Sequence, residues 1–279
     1  QQDLRMQNHE RLGHASFKRI RQIEVKGLPK PPSKRMKPIT CPVCITAKAR
    51  RSNRPAPSTA DNRPTEPWMD VFTDLSGKVK TQSITGAKYF CVFVDSWSGS
   101  KHVEFIASKN HYIYAYKRFV SYLARHPAVL RSDQGTEILN KELTAYLEAN
   151  GTNHIVCAKN EHSSIGAAEN SIGVLRTAAK TMMLGGNIPK HLWQFCLSHA
   201  AYLNNIVSPS RCDPKKTIFE VIFHRKADVR KIPPVGAFCT VYEDRRKLTD
   251  QSFGLTSKQG VFLGIARHHK VLGYTIYTN

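Results

Sequence analysis

Between residues 67 and 225 the apolar residues change their spacing again and again, and that alternation limits the fold to one class. MDVFTDLSG reads as a short strand ending at a turn, and KYFCVFVDSWSGSKHVEFI as a hairpin closed by Ser-Trp-Ser-Gly. HYIYAYKRFVSYLARH is an amphipathic helix that stops before Pro127, AVLRSD a strand, and LNKELTAYLEANG a helix closed by Asn150-Gly151. NHIVCA is a further strand. SSIGAAENSIGVLRTAAKTMMLGG is a long helix, capped by Ser163 or Ser164 and stopped by Gly185-Gly186; PKHLWQFCLSHAAYLNNIV is the next helix. Three strands followed by helix, strand, helix, strand, helix give an α/β chain with a mixed sheet.

The flanks read differently. Residues 1–50 are short helical pieces and loops: Gly13 breaks the first, and Ser16 caps FKRIRQIEVKG, which Gly27 stops. Residues 51–66 are basic and rich in proline, as in a linker. From about residue 226 the chain turns β-rich, with GAFCTVYED, KQGVFLGIA and VLGYTIYTN as short strands of a small barrel or meander that ends in a strand-like run. The expected division is therefore 1–50, 51–66, 67–225 and 226–279.

Charge narrows the partner. Forty-two Lys and Arg stand against twenty-one Asp and Glu, a formal net charge of +21, with a pI near 9.9. Such a surface attracts polyanions, nucleic acid above all. Seven cysteines at irregular spacing do not make a secreted disulfide framework. No apolar run approaches the roughly 20 residues that span a bilayer, so no membrane partner is expected. The first residue is Gln1, as in a piece cut from a longer precursor or a chosen boundary.

On so basic a chain, carboxylates at strand ends call for a reason. Asp74 ends the first strand, Asp133 ends a later one before a Gln-Gly turn, and Glu169 sits early in the long helix, with 35 residues between the last two. Strand ends and a neighbouring helix converge on one crevice in a mixed sheet. Together the three would repel one another, and a divalent metal (Mg²⁺ or Mn²⁺) removes that penalty. Asp74 would bridge two ions, with Asp133 and Glu169 on one each. Taken singly, each of the three is a common solvated residue, and Asp70, Asp95 and Glu137 compete as ligands; Asp95 is also well explained as a turn residue. On the long helix Arg176 lies seven residues and Lys180 eleven residues beyond Glu169. Both fall within about 20° of its face, beside an apolar stripe of Ile165, Ala168, Ile172, Leu175, Ala179 and Met182. That edge can track a phosphate backbone, or simply face water. Lys159, in the preceding loop, is a third candidate for DNA contact.

His9-x4-His14, then 26 residues, then Cys41-Pro-Val-Cys44 offers two imidazoles and two thiolates, a set that suits tetrahedral Zn²⁺. A five-residue step does not keep both rings on one helix face. Gly13 resolves this if it ends the helix and turns His14 back. The competing reading is a redox Cys pair with incidental histidines.

Together these blocks (HERLGHAS, CPVC, FTDLSG, RSDQGTEI, GAAENSI and the tail GAFCTVYED…GVFLGIA…GYTIY) resemble the integrases of copia-type retrotransposons. More distantly they are similar to retroviral integrases and other DDE transposases. The resemblance covers nearly the whole chain. It implies an RNase H-like core with Asp74, Asp133 and Glu169 as catalytic metal ligands. It also implies a zinc domain of the GAG-pre-integrase kind on His9, His14, Cys41 and Cys44, and a small β-rich, SH3-like segment after the core. The implied activity is 3′-end processing and strand transfer of element DNA into a chromosome, the DNA's own 3′-hydroxyl being the nucleophile. DNA, a homo-oligomer, flanking protease and reverse transcriptase segments, and a nuclear site of action follow from it. The chain departs from the family's pattern in two places. KNEHSSIG replaces a Pro/Gln/Asn-rich loop, and Asn170, Ser171, Ile172 and Gly173 follow the Glu in place of basic residues. An inactive relic that only binds DNA, or an RNase H-type nuclease, are the other readings.

Overall fold

A computed structural model describes residues 3–23, 25–29, 39–48, 64–133, 141–156, 162–242, 257–268 and 271–278. Glu137, Lys159 and all of the expected linker but residues 64–66 lie outside that set. The amino-terminal stretch forms α1 (Leu4–Arg11), α2 (Phe17–Gln22) and α3 (Pro42–Lys48). Asp3 and Ser16 cap the first two, each accepting a hydrogen bond from a backbone N–H of the first turn. α2 is shorter than its sequence suggests. It stops at Ile23, whose backbone is extended (φ −87°, ψ 148°) because its side chain is drawn into the core. Lys26 then pairs with Asp228 in an isolated parallel bridge.

The central segment yields β1 (Asp70–Leu75), β2 (Tyr89–Asp95), β3 (Lys101–Ile106), α4 (Tyr112–Leu123), β4 (Val129–Ser132), α5 (Lys141–Ala149), β5 (Asn153–Val156), α6 (His162–Gly185), α7 (Trp193–Val207) and α8 (Ile218–Phe223). The sheet order is β3-β2-β1-β4-β5. β1, β2 and β3 are antiparallel, as tight connections require; β1, β4 and β5 are parallel, as helical crossovers require. This is the expected α/β, RNase H-like mixed-sheet core. α4 ends earlier than Pro127 demands, with Ala124 in the left-handed region at φ 55°. The sequence reading passed over α8, although Thr217 and Glu220 form a reciprocal capping box there.

Alternation along the strands builds a core on each face. Val71, Cys91, Phe93 and Leu130 pack with Tyr112, Tyr116 and Phe119 of α4 and Leu143 and Leu147 of α5. Phe90, Val92 and Val94 point the other way, into a cluster with Ile172 and Leu175 of α6 and Cys196 and Leu197 of α7. Both faces of β2 are buried, so it reads as a continuous apolar run.

After α8 come β6 (Phe238–Tyr242), β7 (Ser257–His268) and β8 (Val271–Tyr277), an antiparallel meander in chain order. It docks on α7. A Cβ built on Gly264 (φ 154°) would lie 2.6 Å from the Cβ of His199, so only glycine lets the strand come this close. The N–H of Ile265 donates to His199 Nδ1 at 3.3 Å. Phe262, Leu263 and Ile265 share the α6–α7 cluster with Leu12, Ile20 and Ile23, so both flanks bury apolar side chains in one core. No helix among the described residues is long and apolar enough to cross a membrane.

Candidate functional site

The His/Cys cluster is assembled by one turn and one short helix. α1 ends at Arg11, Gly13 takes φ 63°, and His14 follows in the left-handed region at φ 59°. The N–H of His14 returns to the His9 carbonyl at 2.7 Å. This reversal brings the second imidazole beside the first, as the five-residue step required. Cys41 immediately precedes α3 and Cys44 lies within it.

The four ligand atoms lie within 4.8 Å of one another. His9 Nε2 is 3.2 Å from His14 Nδ1 and 3.1 Å from Cys44 Sγ. His14 Nδ1 is 3.4 Å from Cys41 Sγ and 3.7 Å from Cys44 Sγ. A tetrahedron with zinc's bond lengths has edges of about 3.3 Å between nitrogens and about 3.6 Å from nitrogen to sulfur. The donor set therefore fits Zn²⁺ in chemistry and in spacing. His9 Nδ1 contacts the Ala15 carbonyl at 2.7 Å, which fixes the ring and leaves Nε2 for a metal. Neither cysteine is in a disulfide, and both histidines stand against the thiols, so the reading as a redox pair with incidental histidines loses ground. The cluster abuts the end of α6, where a Cβ on Gly185 would be 3.0 Å from His14 Nε2.

The carboxylates are arranged by the sheet. β1 and β4 pair in parallel, with Asp70 opposite Val129 and Phe72 opposite Arg131. Continued two residues past that last rung, the register would set Asp74 beside Asp133, which follows the end of β4 at Ser132. Asp74 falls by alternation on the face of Phe72, which is the face that α6 covers. Asp74 Oδ1 accepts from the Leu75 N–H at 2.7 Å. Glu169 stands on α6, exposed, next to the buried Ala168 of its sheet-facing stripe. The strand order thus brings two of the three to neighbouring strand ends and puts the third on the helix over the same face.

Two of the competing acids have other work. The Nε of Arg131 donates to both oxygens of Asp70, at 2.8 and 3.0 Å. Asp95 is fully buried and accepts from the backbone of Trp68 (2.8 Å) and Ser98 (2.9 Å) and from the Ser98 hydroxyl. Burial pushes its pKa up, against the pull of those donors. It anchors the hairpin turn, as its sequence context suggested. The Asp70–Arg131 pair went unread, because only the parallel register brings the two together.

Arg176 and Lys180 are exposed on the same edge of α6 as Glu169. The Arg176 guanidinium carbon lies 5.6 Å from the centre of the Phe90 ring, which steadies it over the sheet. Ala168, Ile172, Leu175, Ala179 and Met182 are buried, as their spacing predicts.

No protein-family model matches the chain. It is similar to the retrovirus-related Pol polyprotein from transposon TNT 1-94 of Nicotiana tabacum, 26% identical over 202 residues, which cover 71% of this chain and 15% of that protein. It is also similar to the Pol polyprotein from transposon RE2 of Arabidopsis thaliana, 23% identical over 92% of this chain and 17% of that protein. The chain thus spans less than one fifth of the length of these curated relatives. Among solved structures it is similar to the HTLV-2 integrase catalytic core domain in complex with magnesium (TM-score 0.45, 19% identity, covering 57% of this chain and 99% of that one). Another is the simian T-cell lymphotropic virus intasome in complex with the PP2A regulatory subunit B56 gamma (TM-score 0.49, 17% identity, 85% of each chain). Its relatives are Pol polyproteins of copia-type transposons.

Proposed function

We propose that this chain, a copia-type Pol segment by its relatives, is a retrotransposon integrase that trims the 3′ ends of element DNA and joins them to chromosomal DNA. The observation that carries the reading is the β1–β4 register, continued to Asp74 and Asp133 beneath the helix that bears Glu169. These three carboxylates would hold Mg²⁺ or Mn²⁺. A metal held there would supply the activation of an attacking hydroxyl and the charge to stabilise the leaving oxygen. Arg176 and Lys180 neutralise phosphates along the adjoining edge of α6, with the Arg176 guanidinium over the Phe90 ring. Lys159 is assigned to the same path, although it lies outside the described residues. His9, His14, Cys41 and Cys44 would hold a structural Zn²⁺ with all four positions filled by protein. Two element ends call for at least two copies of the chain, and a chromosomal target puts the work in the nucleus.

Asp133→Asn tests this. Joining of a labelled element-end duplex in Mg²⁺ should fall by more than about 100-fold, the upper range for merely losing a supporting partner of a metal ligand. DNA affinity should be kept. Wild-type protein that binds DNA but never joins it would favour the second reading, an inactive DNA-binding relic. That reading draws on Asn170, Ser171, Ile172 and Gly173 after Glu169. Cutting of an RNA–DNA hybrid without DNA joining would point instead to a nuclease.

A further inference from the structure

Two buried hydroxyls, Thr73 and Ser132, each stand one residue before an aspartate of the proposed metal site, and each is tied to a ring from a neighbouring element. On the reading of Asp74 and Asp133 as metal ligands, on which this rests, we infer that Thr73 with Tyr112 and Ser132 with His154 are positioning pairs. They hold the backbone at the two aspartates and so set how tightly these carboxylates bind a divalent cation. Mg²⁺ demands near-octahedral placing of its oxygen ligands, so a small rotation of a ligand's backbone weakens binding.

Successive side chains of a strand leave on opposite faces. Asp74 shares the α6 face with Phe72, so Thr73 between them points toward α4. There its hydroxyl meets that of Tyr112, the first residue of α4, at 2.8 Å. Thr73 is 1% exposed and Tyr112 0%. Ser132, the last residue of β4, is as deeply buried. Its Oγ donates to the Asp133 carbonyl at 3.1 Å and lies 2.8 Å from Nε2 of His154 on β5. A hydroxyl has one proton to give. With that proton on the carbonyl, Nε2–H donates to Oγ, and the imidazole fixes the direction of the serine's own donation. A buried hydroxyl that loses its partner is costly, so neither strand end can rotate about its axis without breaking a pair. Neither pair needs to touch a metal; each acts through the backbone of the residue beside it. The same helix holds a control. Tyr116, one turn on from Tyr112, is also buried and shares a hydrogen bond with Thr152 at 3.4 Å, and Thr152 adjoins neither aspartate in the chain.

The test uses the full chain loaded with zinc and free of DNA, titrated with Mn²⁺ and read by the electron paramagnetic resonance of the free ion. Binding that Asp133→Asn removes marks the site. Tyr112→Phe and Ser132→Ala should each weaken that binding about tenfold, the low end of what a lost supporting partner of a metal ligand costs. Ser132→Thr, which keeps the hydroxyl, should bind Mn²⁺ as the wild type does, and so should Tyr116→Phe. Unchanged affinity in Tyr112→Phe or in Ser132→Ala would overturn the pair concerned, and an equal loss in Tyr116→Phe would overturn both, with the ligands left standing. A wild type that binds no Mn²⁺ through Asp133 would overturn the pairs together with the ligand reading. If Tyr112→Phe fails to fold, its combination with Thr73→Val removes both polar partners at little cost in stability and carries the same test.

Discussion

The His/Cys cluster and the proposed carboxylate site are both polar, yet they draw their residues from the chain by opposite means. The first closes within residues 9–44, through a helix stop, a left-handed His14 and a short helix. Its ligand atoms stand at tetrahedral spacing because local chain geometry brings them there. The second takes its members from two strands and a helix spread over 96 residue numbers, Asp74 to Glu169. Nothing local relates them; the parallel pairing of β1 with β4 and the packing of α6 on the sheet set their places. A locally closed site would gain order from a metal bound in it, beyond what the packing of Leu12, Ile20 and Ile23 supplies, whereas a site built on sheet register would depend on the core alone.

The largest expected effect separates the two. Structural zinc binds with about 10–16 kcal/mol in small peptides, and that energy is folding energy. Chelation, or Cys44→Ser, should therefore erase amide-exchange protection in α1–α3 and loosen the end of α6, while β1–β5 stay protected. Equal loss across the sheet would mean that the two sites are not independent. Next comes Arg131→Met, which strips the partner from the largely buried Asp70 and should cost about 1–3 kcal/mol in urea denaturation. The double change Asp70→Asn with Arg131→Met should recover part of that loss. Exchange in α1–α3 should not respond to either.

A smaller effect tests the end of the sheet away from Asp74. Burial, and then the charge of Arg211, lower the Lys101 pKa to about 8 from its ordinary 10.5. Between those values the unfolded chain holds more protons than the folded one, so stability rises with pH. The cost is present in full below pH 8 and fades as pH climbs toward 10.5. Lys101→Met should flatten that slope in denaturation curves taken at low and high pH. The smallest effect is on the α6 edge. Replacing Arg176 and Lys180 together by Ala should reduce the slope of log affinity against log salt by roughly 0.9 for each phosphate that is no longer neutralised. Folding stability should barely move, since both side chains are exposed.

Much of this was legible in the residues. The strands and helices of the core lie where the apolar periods put them, because burial on one helical stripe or one strand face dictates those periods. Gly13 announced the turn that brings His14 back. The lower end of α2 misled, since FKRIRQIEVKG has helical propensity through Val25. Burial of Ile23 and the pairing of Lys26 with Asp228 outweigh that local preference. The docking of β7 on His199 was unreadable, because a lone Gly264 in a strand has no local sign of the helix it lies against.

By itself, then, the sequence determined the kinds of element, their order, the basic surface and the four ligands of the zinc-type cluster. Each of these depends on side-chain chemistry and short-range spacing. Tertiary structure alone decided the parallel register of β1 on β4, the Asp70–Arg131 pair, and the single core that takes in both flanks. Strand register is settled by which faces are buried against which helices, a property of the whole packed chain that no window of residues contains.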